Sequence, residues 1–332
     1  MSAKSSHALK PVKKGMVLGI ELGGAKILAG VIDSEDKLLS RAKRATPITS
    51  SQQAVTDEII SAAEEALKTA AVNKNQLECI GMGSPGPLNP EAGIVLRSGI
   101  VALKNYPIGP ILSKYFNLPV TLDNDVHMSV FGEFKVGAGK GCNNIVGLWI
   151  GAVVGGCVIR DGQVIHGANR NAGELGHVVL DIAKHLKDRK RGTLETEASK
   201  TGMTAFIRRQ IAKGAKTSLK KCVKGEKDGL KSADLGEAYE KGDEVAVAAV
   251  EHSALYCGIA VANLFNTLSP QLFILGGGVV ETLGAKYLKL VQQAADDYVY
   301  STELAPIRLA EAQLGDDAGV LGAALAAKAK FM

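Results

Sequence analysis

Val17-Leu18-Gly19-Ile20-Glu21-Leu22-Gly23-Gly24-Ala25-Lys26-Ile27-Leu28-Ala29-Gly30 is an apolar run, a glycine-rich turn and a second apolar run. The pattern returns at Val146-Gly147-Leu148-Trp149-Ile150-Gly151-Ala152-Val153-Val154-Gly155-Gly156-Cys157-Val158-Ile159. Each stretch predicts strand, tight turn, strand. A polar turn follows each, from Asp33 to Asp36 and at Arg160-Asp161-Gly162. A hairpin used twice predicts a duplicated fold. Glycine at a hairpin tip leaves backbone N–H groups open to phosphate oxygens. Two such tips facing one cleft could grip a nucleotide triphosphate tail. The plainer alternative is a pair of ordinary hairpins whose glycines only permit the turn.

Composition bounds the rest. The 332 residues suffice for two domains with proper cores, and a hydrophobic content of 46% suits an α/β protein. No apolar run is expected to reach the length that crosses a bilayer. The polar, basic start predicts a disordered tail over residues 1–15 rather than a signal peptide. Cys79, Cys142, Cys157, Cys222 and Cys257 are scattered without a CxxC pair, which predicts free thiols and a cytoplasmic protein. Much of the net charge of +5 comes from Lys184–Arg191 and Lys213–Lys227. Neither segment interleaves aromatics, and only 5% of the chain is aromatic. Both segments therefore read as solvated faces, with neither nucleic acid nor membrane as partner.

Along the chain, residues 16–42 predict a β-meander and Gln52–Ala71 a helix, with Val55, Ile59, Ala63 and Ala66 at helical spacing. Cys79–Gly83 predicts a buried strand before the turn Ser84-Pro85-Gly86-Pro87. A helix over Ile108–Phe116, a strand over Leu118–Leu122 and a helix over Val126–Val136 follow, with Asp123-Asn124-Asp125 between the last two. A second meander occupies Ile145 to about Ile165. Beyond His177–Leu180 the pattern is helical: one helix over Leu194–Ala212, another capped by Ser232, and a long apolar one over Glu244–Leu268. Leu272–Leu275 predicts a buried strand running into Gly276-Gly277-Gly278, and Asp317–Lys330 a closing helix. No proline- or serine-rich linker appears, so the boundary near residue 125 predicts a hinge. The expected domains are a small α/β domain over residues 16–125 plus about 316–332, and a larger α/β domain over 126–315.

Asp123-Asn124-Asp125 sits where a strand yields to a helix, a usual place for ligand groups in α/β folds. An aspartate there could accept a sugar hydroxyl's proton as its oxygen attacks phosphorus. The alternative for such an aspartate is a helix N-cap. Glu174-Leu175-Gly176-His177 places a carboxylate and an imidazole three residues apart. Vicinal hydroxyls call for such groups, and Glu195 would add another acceptor. Taken singly, each of these residues also suits an ordinary surface role.

In order and spacing, Gly81-Met82-Gly83-Ser84-Pro85-Gly86-Pro87, Asp125, Gly173-Glu174-Leu175-Gly176-His177, Leu194-Glu195-Thr196 and Leu275-Gly276-Gly277-Gly278 resemble the ROK family of sugar kinases and repressors. The resemblance runs from about residue 16 to the end. It implies an α/β fold of the two-domain actin-like ATPase type (ribonuclease H-like), a duplicated β-meander with helices and a cleft between the domains. It implies Asp125 as catalytic base, and Ser84, Pro85, Gly86, Asn124, Glu174, His177 and Glu195 as hexose contacts. The turns Gly23, Gly24, Ala25, Lys26 and Gly151, Ala152, Gly155, Gly156 would hold ATP phosphates. Gly276, Gly277 and Gly278 would lie against the adenosine. Magnesium would arrive with ATP, with Glu21 as an indirect contact, and the chain would form a homodimer.

The chain departs from the family pattern at three places. The first turn of the family reads D-x-G-G-T, against Glu21-Leu22-Gly23-Gly24-Ala25 here; the second reads G-T-G, against Gly151-Ala152-Val153. Two hydroxyls are lost. A hydrogen bond to a charged group is worth about 1.5–3 kcal/mol, so uncompensated loss of both weakens nucleotide handling by about two to four powers of ten. The third departure concerns a family zinc motif, C-x-C-G-x-x-G-C. Its cysteine positions hold Leu186, Asp188 and Thr193, so of four ligands only His177 remains and no structural zinc is expected. Recruitment of a metal by His177, His185 and Asp188 is the minority reading.

These features predict an ATP-dependent hexose kinase of the glucokinase type, acting at the 6-hydroxyl. The alternatives are a sugar-binding protein without catalysis, or a kinase with another phosphoryl donor such as polyphosphate. Both fit changes confined to the nucleotide side. A repressor is not expected, because only about 15 residues precede the first strand.

Overall fold

The computed structural model describes residues 15–48, 51–99, 101, 103–224, 229–303 and 305–332. Residues 1–14, nearly all of the expected tail, lie outside them, as do residues 225–228 of the second basic segment. The chain divides into two compact units, residues 1–129 with 319–332, and residues 130–318.

The first unit opens with strands β1 (Met16–Leu22), β2 (Lys26–Ile32) and β3 (Leu38–Ala45), then helix α1 (Gln52–Ala70) and β4 (Leu77–Ser84). Short strands β5 (Leu88–Asn89), β6 (Ile94–Arg97) and β7 (Lys104–Tyr106) form a small sheet of their own. Helix α2 (Ile108–Phe116) leads to β8 (Val120–Asn124), and α3 (Asp125–Val136) runs on into the second unit. The main sheet has the order β3-β2-β1-β4-β8. β1 pairs antiparallel with β2 and parallel with β4, and β4 pairs parallel with β8. Helix α10 (Ala318–Phe331) returns to this unit and lies on β1 and β4. Gly19 and Gly81 are register partners. A Cβ on Gly19 would stand 2.1 Å from the Val320 carbonyl oxygen, and one on Gly81 1.7 Å from that of Ala323. The paired glycines form the groove that seats α10.

The second unit repeats the plan. Strands β9 (Ile145–Ile150), β10 (Val154–Arg160) and β11 (Gln163–Val164) make the meander. Helices α4 (Ile182–Lys187), α5 (Leu194–Ala198), α6 (Lys200–Ala212), α7 (Ser232–Glu240) and α8 (Glu244–Leu268) follow, then β12 (Leu272–Gly276), α9 (Gly278–Tyr298) and β13 (Leu309–Glu311). The sheet order is β11-β10-β9-β12-β13, with the antiparallel and parallel pairings of the first unit repeated strand for strand. The duplication expected from the two glycine turns is therefore a topological fact.

Each unit has its own apolar core, centred on β1, β4, α1 and α2 in the first and on β9, β12, α8 and α9 in the second. Helix α8 differs from the sequence expectation. It has 25 residues and is long and apolar enough to cross a bilayer by length and composition alone. Some 67% of its most apolar window is buried within the protein, so its apolar surface serves the second core.

Local chemistry also moved three boundaries. The single helix expected over Leu194–Ala212 is two, because the Ser199 hydroxyl accepts the Gly202 N–H at 3.0 Å and restarts the helix. Ser232 is the first residue of α7, not its cap. Lys231 holds the cap position in extended backbone without a side-chain bond. Helix α9 was not anticipated, since Gly278 and Gly284 punctuate its sequence, and Gly284 indeed departs from helical geometry (φ 54°, ψ −138°).

Candidate active site

In the first unit the candidate groups gather at the ends of β4 and β8. Ser84, fully buried, closes β4 opposite Asn124 on β8. The chain then turns through Pro85, Gly86 and Pro87. Asp123 accepts the Asn124 N–H at 2.7 Å and lies 3.1 Å from His127 Nδ1. Asn124 Oδ1 accepts the N–H groups of Val126 and His127 at 2.8 and 3.1 Å. The cap of α3 is thus Asn124, one residue before the aspartate for which a cap was weighed. Asp125 is the first helical residue, half-buried, and accepts the Val126 N–H at 3.0 Å. Its backbone rests on β4, where a Cβ on Gly83 would stand 3.2 Å from Asp125 Cα. A carboxylate there sits at the positive end of a helix.

The turn between β1 and β2 is tied down behind Gly23–Lys26. Gly23 N–H donates to the Lys26 carbonyl at 2.9 Å, the Thr46 hydroxyl to the Gly23 carbonyl at 2.8 Å, and Thr46 N–H to the Ala25 carbonyl at 3.2 Å. Gly24 is half-buried and Ala25 is exposed. The Glu21 side chain reaches over the start of α10, where a Cβ on Gly319 would stand 2.5 Å from its Cδ and Oε2.

In the second unit the turn between β9 and β10 is held in the same manner. Gly151 N–H donates to the Val153 carbonyl at 2.9 Å. Lys200 N–H donates to the Gly151 carbonyl at 2.9 Å, and the Thr201 hydroxyl to the Ala152 carbonyl at 2.6 Å. The first turn of α6 therefore fixes this turn. Immediately beyond it, Val154 N–H donates to Glu195 Oε2 at 3.2 Å. Gly176 abuts the Val154 carbonyl so closely that a Cβ would stand 2.1 Å away. Glu174 and His177 flank that contact, both exposed, with their carboxylate and Nε2 3.9 Å apart. The three candidate sugar groups of this unit and the candidate phosphate turn are thus assembled around the first residue of β10.

Gly155 and Gly156 lie along β10, and Gly276, Gly277 and Gly278 join β12 to α9. The lone tryptophan, Trp149, is the register partner of both Gly155 and Gly276. Its indole covers Gly276, where a Cβ would stand 2.7 Å from the ring. Gly277 has φ 87° and ψ 164°, with the Ile150 backbone 2.8–2.9 Å from where its Cβ would be. Gly276 is thus buried beneath the indole and Gly156 beneath the Leu175 side chain, 2.5 Å from where its Cβ would be, whereas Gly155, Gly277 and Gly278 are half-buried.

A cluster behind Glu195 corrects the reading of Lys184–Arg191 as a wholly solvated face, because Lys184 turns inward to Glu197 and Tyr256. Glu197 is 2% exposed and accepts from Lys184 Nζ at 2.7 Å, from the Gly192 N–H at 3.2 Å, and lies 2.9 Å from His252 Nε2. Burial opposes its charge, but the bonds from His252 and Lys184 prevail and hold its carboxyl at about 2. Asp181 is likewise lowered to about 2, by the Lys184 N–H and then by the Tyr256 hydroxyl.

A family model described as the ROK family matches residues 17–330. A glucokinase of Halalkalibacterium halodurans is 30% identical over 92% of this chain and 92% of its own. A ROK family glucokinase from Streptomyces griseus, solved with glucose and AMPPNP, is 27% identical, with a TM-score of 0.79 over 95% of this chain and 100% of its own. A ROK family transcriptional regulator, a homologue of the E. coli MLC protein, is 25% identical, with a TM-score of 0.80 over 93% of this chain and 77% of its own. The likeness of fold thus extends to both a ROK glucokinase and a ROK transcriptional regulator.

Proposed function

This chain belongs to the ROK family, and we propose that within it the protein is an ATP-dependent hexose kinase acting at the sugar's 6-hydroxyl. The observation that carries the reading is the bond from Val154 N–H to Glu195. It ties one candidate sugar acceptor, Glu195, to the end of the candidate phosphate turn of the second unit. Glucokinases among the relatives, one of them solved with glucose and AMPPNP, support the same reading.

In this reading Glu174, His177, Glu195 and Asn124 hold sugar hydroxyls, with the Ser84-Pro85-Gly86 turn bounding the ring. Asp125 takes the proton of the attacking hydroxyl. The new bond joins that oxygen to the γ-phosphorus, the bond from phosphorus to the ADP oxygen breaks, and the proton rests on Asp125. General-base help of this kind is worth about 10²–10⁴ in rate. The turns Gly23–Lys26 and Gly151–Gly156 hold the phosphates through backbone N–H groups other than those of Gly23, Gly151 and Val154, which are bonded within the protein, and the Gly276–Gly278 turn lies against the adenosine. Glu21 would be the carboxylate that holds, through water, a magnesium ion carried by ATP, and that ion would supply neutralisation of phosphate charge. The reading also includes a homodimer, which sedimentation velocity tests.

A second reading is favoured by the surface positions of Ala25 and Val153, the latter 46% exposed. At these turns the family hydroxyl and glycine are replaced on the surface, where no packing demand explains the change. A different phosphoryl donor, or sugar binding without transfer, accounts for it. The test of both is a coupled assay with Mg-ATP or polyphosphate and a panel of hexoses. The expected outcome is sugar-dependent ADP release that falls at least a hundredfold in Asp125→Asn while sugar binding persists. Sugar phosphate formed with polyphosphate but not with Mg-ATP, the leaving group then being the shortened polyphosphate, selects the other donor. Sugar binding without turnover on either donor removes the kinase.

A further inference from the structure

We propose that Glu197 is a positioning residue for hexose binding: with Lys184, His252 and the Gly192 N–H it fixes the short helix α5, and so fixes Glu195. The inference rests on the reading of Glu195 as a sugar acceptor.

Helix α5 has only five residues, Leu194–Ala198, too few to hold a helical shape unaided. Glu195 and Glu197 are two residues apart, about 200° around the helix, and so leave it on opposite sides. Glu195 goes to Val154 at the candidate phosphate turn. Glu197 goes into the protein and meets three donors from three segments: Lys184 on α4, Gly192 in the returning loop and His252 on α8. Lys184 Nζ also donates to the Tyr256 hydroxyl at 2.8 Å and lies 3.2 Å from Asp181 Oδ2. The Tyr256 hydroxyl donates to Asp181 at 2.8 Å. His252 is held between the rings of Phe206 and Tyr256, each centroid 4.9 Å away. Every group in the cluster is thus itself held.

Beside this cluster, backbone bonds close the loop that follows His177. Leu194 N–H donates to the Val178 carbonyl, Leu180 and Asp181 N–H to the Gly192 carbonyl, and Val179 bridges Thr193. The segment from His177 to Leu194 is therefore a closed loop whose two ends are drawn together. Lys184, from inside the loop, reaches Glu197 beyond its end. A second tie from α8, the Ser253 hydroxyl to the Ala198 carbonyl at 2.7 Å, holds the other end of α5. That tie does not involve Glu197, so loss of the carboxylate loosens the orientation of α5 without detaching it. The hydroxyl-facing acceptor then wanders, and sugar affinity falls while the nucleotide turn, held by Lys200 and Thr201, stays in place.

The test measures hexose and ATP dependence, with calorimetric hexose affinity, for the full chain, Glu197→Gln and the pair Glu197→Gln with Lys184→Met. The pair removes the buried carboxylate together with its half-buried ammonium partner and keeps a foldable variant if the single change does not fold. The expected result is a hexose KM and Kd raised about tenfold or more in the variants, with the ATP KM within twofold of wild type. Equal hexose and ATP constants in a folded variant, with only the melting temperature lowered, overturn the proposal. So does a parallel rise in both KM values. Wild-type protein that neither binds nor phosphorylates any hexose overturns the functional reading instead, and this inference with it.

Discussion

Gly277 stands where no side chain fits. Its φ of 87° and ψ of 164° belong to a region kept to glycine, and the Ile150 backbone fills the space of a Cβ. Gly277→Ala is expected to cost about 1–3 kcal/mol from the dihedrals alone, read as a lower urea midpoint at unchanged m. Glu197 carries a pH prediction. Its folded carboxyl titrates at about 2, below its ordinary 4.5, so the charged form is the one the fold favours. The stabilisation is present in full above the unfolded value and is lost as pH falls from about 5 to about 2. Thermal unfolding across that window should show a steeper fall for wild type than for Glu197→Gln. At this scale the sequence displayed the chemistry-bearing residues and left their division of labour open. Asn124 and Asp125 are equally good caps on paper. The choice between them depends on where the helix begins, and the bonds from Val126 and His127 N–H to Asn124 Oδ1 show that it begins at Asp125.

Among the elements, strands with alternating or continuous apolar runs were legible in the sequence, as were helix α1 from its helical spacing and α8 from its long apolar content. Helix α9 and the break between α5 and α6 were not. Their signals are glycines and serines, which mean breaker, cap or packing groove depending on what lies opposite. Gly258 on α8 is of the last kind. A Cβ there would stand 2.4 Å from Ala294 Cβ and 2.7 Å from the Val291 carbonyl oxygen on α9. Gly258→Val is expected to force α8 and α9 apart and to cost about 1–3 kcal/mol or more. A fall in melting temperature, with loss of near-ultraviolet dichroism from the second core, would report it. The same pair of helices buries Tyr287, whose hydroxyl lies 2.8 Å from Ser253 and 3.2 Å from Cys257. Burial pushes the Cys257 thiol up to about 12, so this cysteine is expected to resist alkylation in the folded protein.

For the molecule as a whole, two cores mean that unfolding need not be a single transition. Trp149 lies in the second unit, so intrinsic tryptophan fluorescence reports that unit, whereas far-ultraviolet dichroism reports both. A hexose held by Glu174, His177 and Glu195 should raise the fluorescence midpoint, by about 2.7 kcal/mol of stabilisation at a hundred times Kd. An unmoved midpoint at saturating sugar would remove those three residues from the site. What the sequence by itself determined is the repeated strand–glycine–strand plan, its family and the identity of the candidate groups. These depend on local periodicity, turn chemistry and order along the chain. Only the tertiary structure decided that Asn124 caps α3, that Glu195 joins the turn before Val154, and that Lys184, Glu197, His252 and Tyr256 meet in one buried cluster. Lys184 and Tyr256 are 72 residues apart along the chain. No local pattern specifies such a contact; it exists because α4, α5 and α8 pack together and the buried carboxylate must then find its partners.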